Sequence, residues 1–120
     1  MKKILIIEDD EATCEVLELV AAGLGCEAIT STYALPVRSV EEVAPNLVLL
    51  DHLLGDHLGG DLCLKLKRNP LTKDIPVIIV SAHHAIKEIT KQYCADDYIE
   101  KPFSIKSIEE KIRKHLGKRK

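Results

Sequence analysis

Residues 47–51, Leu-Val-Leu-Leu-Asp, decide the fold. Four apolar residues in a row, with Pro45 and Asn46 before them and glycines after, are typical of a short strand buried on both faces of a parallel sheet. Asp51 follows the last of them and so lies at the carboxyl end of that strand, where open α/β sheets bind their ligands. A carboxylate is costly to desolvate there without a cation, so we interpret the rest of the chain by what surrounds Asp51.

Other apolar runs in the chain also end at a polar or acidic residue. The apolar run 4–7 ends at acidic residues, and the run 77–80 ends at a serine, while residues 26–30 and 97–100 are weaker strand candidates. Apolar residues at helical spacing predict five helices, which alternate with the strands: Ala12 to Leu24, Leu35 to Val43, Leu62 to Leu66, Ile86 to Tyr93 and Ile105 to Leu116. Alternation of this kind predicts an α/β fold, a doubly wound parallel sheet with right-handed crossovers.

The size and charge of the chain indicate one ordinary globular domain. The 120 residues carry a net charge of -2, which gives no overall electrostatic case for nucleic-acid binding. The chain ends in a basic segment at about residues 117–120, and a solvated tail is the favoured interpretation of it. We therefore expect a single domain over residues 1–120.

The cysteines favour a reducing compartment. Cys14, Cys26, Cys63 and Cys94 are not in C-x-x-C spacing, and the sequence shows neither a secretory leader nor a run of membrane-spanning length. We expect reduced, mostly buried thiols, with Cys63 and Cys94 as packing residues. The expected location is the cytoplasm, without membrane contact.

Charged and polar side chains follow the predicted strands where the strands end. Because parallel strands share one carboxyl edge, the sequence brings five such residues together there: Glu8, Asp9, Asp51, Ser81 and Lys101. Neighbouring carboxylates repel one another unless a cation is present, and oxygen ligands suit Mg²⁺. A nucleophilic carboxylate, a metal, an ammonium and a hydroxyl together can hold a phosphoryl group.

The order of these motifs resembles the receiver domain of two-component response regulators. The resemblance covers essentially the whole chain and rests on residues 4–10, 47–51, Gly59, Ser81-Ala82 and 96–103. It implies a flavodoxin-like (βα)5 fold with strand order 2-1-3-4-5. It also implies that Asp51 accepts a phosphoryl group from a histidine kinase or a histidine phosphotransfer protein.

Further residue roles follow from the resemblance. It implies that Asp9 and Asp51 bind Mg²⁺ together with the backbone carbonyl of Leu53, and that Glu8 acts on the metal through water. Lys101 would contact the phosphoryl oxygens, with a cis bond to the proline that follows it.

The resemblance also implies a switch. Ser81 and Tyr98 would turn inward on phosphorylation and change a surface formed by the fourth helix, fifth strand and fifth helix, to which a downstream protein binds. Because no DNA-binding domain follows Leu116 in this sequence, we expect no direct DNA binding.

The sequence departs from the family pattern at several positions. Gly55 replaces a proline and should loosen its loop, and Cys94 replaces a glycine, so a left-handed cap there would be strained. The segment from Ser81 to Tyr98 is two residues shorter than is common in the family. Leu53 has no polar group to orient a hydrolytic water, so we expect slow self-dephosphorylation.

Three alternatives remain open from the residues. A metal-dependent phosphatase could use Asp51 as its nucleophile, but such enzymes usually carry a second acid two residues later, where this chain has Leu53. A flavin-binding protein would need a phosphate loop after the first strand, where acids stand instead. Four histidines near the edge could bind Zn²⁺ or Cu²⁺, but no HxH or HExxH spacing supports this and surface positions are favoured for them: His52, His57, His83 and His84.

Overall fold

A computed structural model describes residues 1–55 and 57–117. Five strands form one parallel sheet: β1 (Lys3–Ile7), β2 (Glu27–Ser31), β3 (Leu47–Asp51), β6 (Val77–Ser81) and β7 (Asp97–Glu100). Two short strands, β4 (Leu53–Leu54) and β5 (His57–Leu58), pair antiparallel beside it. The order in the main sheet is β2-β1-β3-β6-β7, with every pair parallel. This confirms the predicted order 2-1-3-4-5, because β6 and β7 are the fourth and fifth strands of the large sheet.

Five helices connect the strands or follow them: α1 (Glu11–Gly23), α2 (Val37–Val43), α3 (Gly59–Lys67), α4 (Ile86–Gln92) and α5 (Ile105–Leu116). Local capping explains two of the boundaries. Asp10 accepts a hydrogen bond from the backbone N–H of Thr13, and Ser104 accepts one from that of Ser107, so each caps a helix N-terminus. Of the predicted basic tail, only Gly117 is among the described residues.

Each face of the sheet has its own apolar core. Alternate strand residues such as Ile4, Ile6 and Leu49 pack with α1 and α5, while Leu5, Ile7 and Leu50 pack with α2 and α3. Strands β3 and β6 are buried at every position, as continuous apolar runs predict. The described residues contain no helix of the length and apolar character needed to cross a bilayer. Because an apolar core packs against each face of the sheet, the central strands are held from both sides and their carboxyl ends form a rigid platform.

Several local expectations need correction. The loop of Gly55, expected to be loosened by the loss of proline, is the turn of the β4–β5 hairpin, and φ 61° at Gly55 suits a glycine there. Ile105, the first of the apolar residues whose spacing predicted the fifth helix, is exposed rather than buried. Cys94 is exposed rather than packed, although the other three thiols are buried. Its φ of 61° places it in the left-handed region, as its position after the fourth helix predicts.

Candidate functional site

Three carboxylates meet at the carboxyl edge of the sheet. Glu8 directly follows β1 and Asp51 ends β3, and these two strands are neighbours, with Ile7 paired to Leu50. One oxygen from each of Glu8, Asp9 and Asp51 lies within 4.8 Å of the others. Glu8 and Asp51 are buried, whereas Asp9 is exposed and closes the group on the solvent side. The sheet register therefore produces the acidic cluster predicted from the sequence.

Lys101 supplies the positive charge of this cluster. It directly follows β7, its backbone N–H donates to the Ser81 carbonyl oxygen at 2.9 Å, and its bond to Pro102 is cis, as the family resemblance implies. Its Nζ lies 2.9 Å from Glu8 Oε1. Even so, Glu8 Oε1 accepts no well-oriented hydrogen bond, although the side chain of Glu8 is only 1% exposed. An ion pair without a hydrogen bond leaves this oxygen free to accept a further donor, such as a metal-bound water.

The environment of Asp51 opposes its ionisation. The pKa of Asp51 is raised to about 8, chiefly by burial and also by the adjacent carboxyl groups of Glu8 and Asp9, while the Lys101 ammonium opposes the change. A carboxyl group that is neutral at pH 7 is a poor nucleophile and a poor metal ligand. A second cation beside the cluster would lower the pKa of Asp51 again and favour its ionised carboxylate.

The cluster fits a hard divalent cation. It offers only oxygen ligands, two of them buried, and includes one buried oxygen without a hydrogen-bond donor. Within residues 1–55 and 57–117 no other group of three acidic, histidine or cysteine side chains converges in this way. The residues present therefore suit Mg²⁺, with Glu8, Asp9 and Asp51 as the side chains that would hold it.

Magnesium ions should stabilise the protein in a pH-dependent way. The folded-state pKa of Asp51 is raised, so its stabilising contribution in metal-free protein is complete below about pH 4 and is lost as the pH rises through about 8. Mg²⁺ needs the ionised carboxylates, so its stabilisation should grow over the same range and reach about 1.4 kcal/mol at ten times the dissociation constant. Thermal melts with and without MgCl₂ at matched ionic strength measure this. A stabilisation that is larger at low pH would contradict it.

The other predicted residues, Ser81, Tyr98 and Leu53, have different surroundings. Ser81 is buried, and its Oγ accepts a hydrogen bond from the backbone N–H of His83 at 3.0 Å. Tyr98 is half-buried on β7, next to Ile79 in the sheet. Leu53 is 53% exposed, and its backbone N–H donates to Asp51 Oδ1 at 3.3 Å. Ser81 thus lies at the end of β6 and Leu53 borders the cluster from the β3 side, whereas Tyr98 lies two residues before the end of β7.

His52 corrects the expectation that the histidines are surface residues. It is only 5% exposed, its Nδ1 accepts a hydrogen bond from the backbone N–H of Gly60 at 3.3 Å, and its ring packs against Tyr93. His57, His83 and His84 are exposed as expected, and the rings of the last two stack. Burial lowers the pKa of His52, with His83 adding to the effect. No local pattern marks His52 for burial, because Gly60 and Tyr93, which enclose it, come from other parts of the chain.

Two glycines at the start of α3 allow the helix to pack closely against the site. A Cβ on Gly59 would overlap the carbonyl oxygen of Asp51 and lie 2.9 Å from its carbonyl carbon. A Cβ on Gly60 would overlap the ring of Tyr93. Real Cβ atoms do not approach so closely, so both positions require glycine for reasons of space. The resemblance included Gly59, whereas the role of Gly60 depends on a tertiary contact.

Comparison with known proteins agrees with the resemblance to receiver domains. A family model described as the response regulator receiver domain matches residues 4–113. The phosphate regulon transcriptional regulatory protein PhoB of Escherichia coli (strain K12) is 32% identical over 115 residues, which are 93% of this chain and 50% of that protein. The chain thus spans about half the length of this relative.

Solved structures share the fold. A putative response regulator from Chloroflexus aurantiacus has a TM-score of 0.88 and 27% identity, over 97% of this chain and 98% of that one. The receiver domain of a sensor histidine kinase from Pseudomonas aeruginosa, solved with a magnesium ion coordinated in its active site cleft, has a TM-score of 0.87 and 23% identity, over 97% and 98% of the two chains. With its family model, its fold and its relatives in agreement, this chain belongs to the response regulator receiver domain family.

Proposed function

We propose that the chain accepts a phosphoryl group on Asp51 and acts as the switch of a two-component phosphorelay. The observation that supports this best is the acidic cluster of Glu8, Asp9 and Asp51 facing the Lys101 ammonium. Receiver domains take phosphate from histidine kinases. For this chain we propose a histidine kinase or a histidine phosphotransfer protein as the donor, and a second protein that binds downstream.

The residues suggest how transfer proceeds. A carboxylate oxygen of Asp51 attacks the phosphorus of a phosphohistidine, the new P–O bond forms, the P–N bond breaks, and the leaving imidazole takes a proton. Lys101 lies where its ammonium can neutralise charge on the phosphoryl oxygens. Bound Mg²⁺ would supply further positive charge at those oxygens and keep Asp51 ionised. We propose Glu8, Asp9, Asp51 and the backbone carbonyl of Leu53 as its protein ligands, with Glu8 acting through water.

The rival functions have less support. The comparisons match receiver domains and response regulators and give no support to a phosphatase. Receiver domains are signalling modules, and we propose that this one acts by binding partners rather than by turnover. We propose the surface of α4, β7 and α5 for the downstream protein, and the cytoplasm as the place where both partners meet it.

The test compares phosphoryl transfer to the wild-type protein with phosphoryl transfer to Asp51→Asn. Incubation with Mg²⁺ and a small phosphodonor such as acetyl phosphate should add one phosphoryl group to the wild type, seen by intact mass. Asp51→Asn should add none, because the amide is not a nucleophile, and chelation of the metal should stop the reaction in the wild type. Labelling of Asp51→Asn to the same extent would refute the proposal.

The lifetime of the phosphoryl group should depend on Leu53. This side chain is exposed beside Asp51 but offers no polar atom, so it cannot orient an attacking water. We expect Leu53→Asn to shorten the phosphate half-life several-fold, of the order that one positioned polar group contributes. Leu71→Asn, at another exposed leucine far along the chain, is the control and should leave the half-life unchanged. Intact mass at intervals after removal of the phosphodonor gives both half-lives.

A further inference from the structure

A basic side chain of α5 holds Tyr98 from one side. The Nζ of Lys111 lies 4.5 Å from the centre of the Tyr98 ring. The same ammonium donates hydrogen bonds to the Tyr98 carbonyl oxygen at 2.5 Å and to Asp97 Oδ1 at 2.7 Å. An ammonium over an aromatic face is attracted by the negative charge density of the ring. Lys111 therefore contacts both the backbone and the ring of Tyr98.

Asp97 anchors this ammonium. Its Oδ1 accepts a hydrogen bond from the backbone N–H of Tyr98, and its Oδ2 lies 2.8 Å from Nε2 of the buried His115. Burial acts to raise the pKa of Asp97, but the hydrogen bonds from Lys111, His115 and the Tyr98 backbone outweigh it and lower the pKa to about 2. The carboxylate therefore stays ionised near pH 7 and keeps Lys111 in place.

We propose that Lys111 is a positioning residue for Tyr98, and that its ammonium, anchored on Asp97, holds the ring in the position seen here and opposes its movement toward Ser81. The inference rests on the proposed function, in which Tyr98 turns inward when Asp51 is phosphorylated. In the resting protein Lys111 thus favours the inactive arrangement. The inward movement requires the ring to leave the ammonium.

The contact is specific to Lys111. Lys114 lies on the same helix with its Nζ 3.9 Å from Asp97 Oδ2, and its side chain is 61% exposed. In the part of the chain that the structure describes, Lys111 is the only cation seated over an aromatic ring. Replacing either lysine removes one positive charge near Asp97, but only the Lys111 change removes the contact with the ring.

The experiment is fluorine NMR on unphosphorylated protein labelled with 3-fluorotyrosine. The chain has three tyrosines, so single Tyr→Phe variants assign the Tyr98 signal. Lys111→Met keeps most of the apolar stem and should raise the ratio of inward to outward ring about two- to fivefold, the usual strength of a partly exposed cation–π contact. Lys111→Arg, which keeps the cation, should restore the wild-type ratio. Lys114→Met should leave the ratio unchanged.

The outcomes separate this inference from the function on which it rests. An unchanged Tyr98 signal in Lys111→Met, or equal changes in Lys111→Met and Lys114→Met, would overturn the positioning role. Lys111→Gln, which keeps a donor without a charge, gives the same test if Lys111→Met does not fold. A wild type that takes no phosphoryl group on Asp51 would end the proposed function, whereas the ring ratio is measured without any phosphorylation.

Discussion

Gly59→Ala should destabilise the protein by about 1–3 kcal/mol and weaken its magnesium site. The new methyl group would overlap the Asp51 carbonyl oxygen, and the other nearest atoms are backbone atoms of Asp51 and His52. No flexible side chain can move aside, so either the end of β3 or the start of α3 must shift. The hydrogen bond from the Gly59 N–H to the His52 carbonyl oxygen, 2.5 Å long, would be lost or distorted in the process.

Equilibrium urea unfolding and Mg²⁺ titration measure the two effects of Gly59→Ala. Gly23→Ala is the matched control, because a Cβ at the end of α1 meets nothing within 4 Å. Alanine has a higher helix propensity than glycine, so the control should be neutral or more stable by up to about 1 kcal/mol. Equal urea midpoints and equal Mg²⁺ affinities for Gly59→Ala and wild type would show that the close contact does not constrain the site.

Lys101→Met should have opposite effects on metal binding and on phosphoryl transfer. Without the ammonium, Glu8 is left as a buried carboxylate beside Asp51 with no cation at 2.9 Å. Loss of one partner from a buried ion pair costs about 3–5 kcal/mol, and we expect less, about 2 kcal/mol, because the Lys101 side chain is partly exposed. Mg²⁺ would then face no competing charge and should bind more tightly.

Phosphoryl transfer should become slower in Lys101→Met by roughly a hundredfold, because a fixed charge aimed at the phosphoryl oxygens is lost. The rate of mass gain with acetyl phosphate at saturating Mg²⁺ measures this, and melts in metal-free buffer measure the stability. Lys106→Met, at an exposed lysine on α5, should change neither quantity. Weaker Mg²⁺ binding by Lys101→Met than by wild type would contradict the view that its ammonium competes with the metal.

The prediction from sequence succeeded where residue type and hydrophobic pattern within one segment indicate the same structure. Continuous apolar runs such as 47–50 and 77–80 can be buried only in the centre of a parallel sheet, and alternating helices allow few topologies. A polar residue directly after such a run must lie at the carboxyl edge. Glu8, Asp9 and Asp51 then meet because β1 and β3 are neighbours, an order that the family resemblance implied.

The prediction failed where a contact joins residues far apart in the chain. His52 is buried because Tyr93 and Gly60 enclose it, and neither contact leaves a periodic signal in the sequence. The network of Asp97, Lys111 and His115 depends on α5 packing beside β7, so a histidine among lysines near the end of the chain is buried rather than exposed.

The parallel sheet and the edge that carries the acidic residues were predicted from the sequence itself, because burial pattern and strand-end position are local properties, whereas the order of the strands and the phosphoryl-accepting candidate Asp51 followed from the family resemblance. The pKa of Asp51, the space available at Gly59 and the cation over Tyr98 were decided only by the tertiary structure. Each of these properties depends on distances of a few ångströms between segments that are far apart in the chain. Those distances are determined only when the helices pack against the sheet.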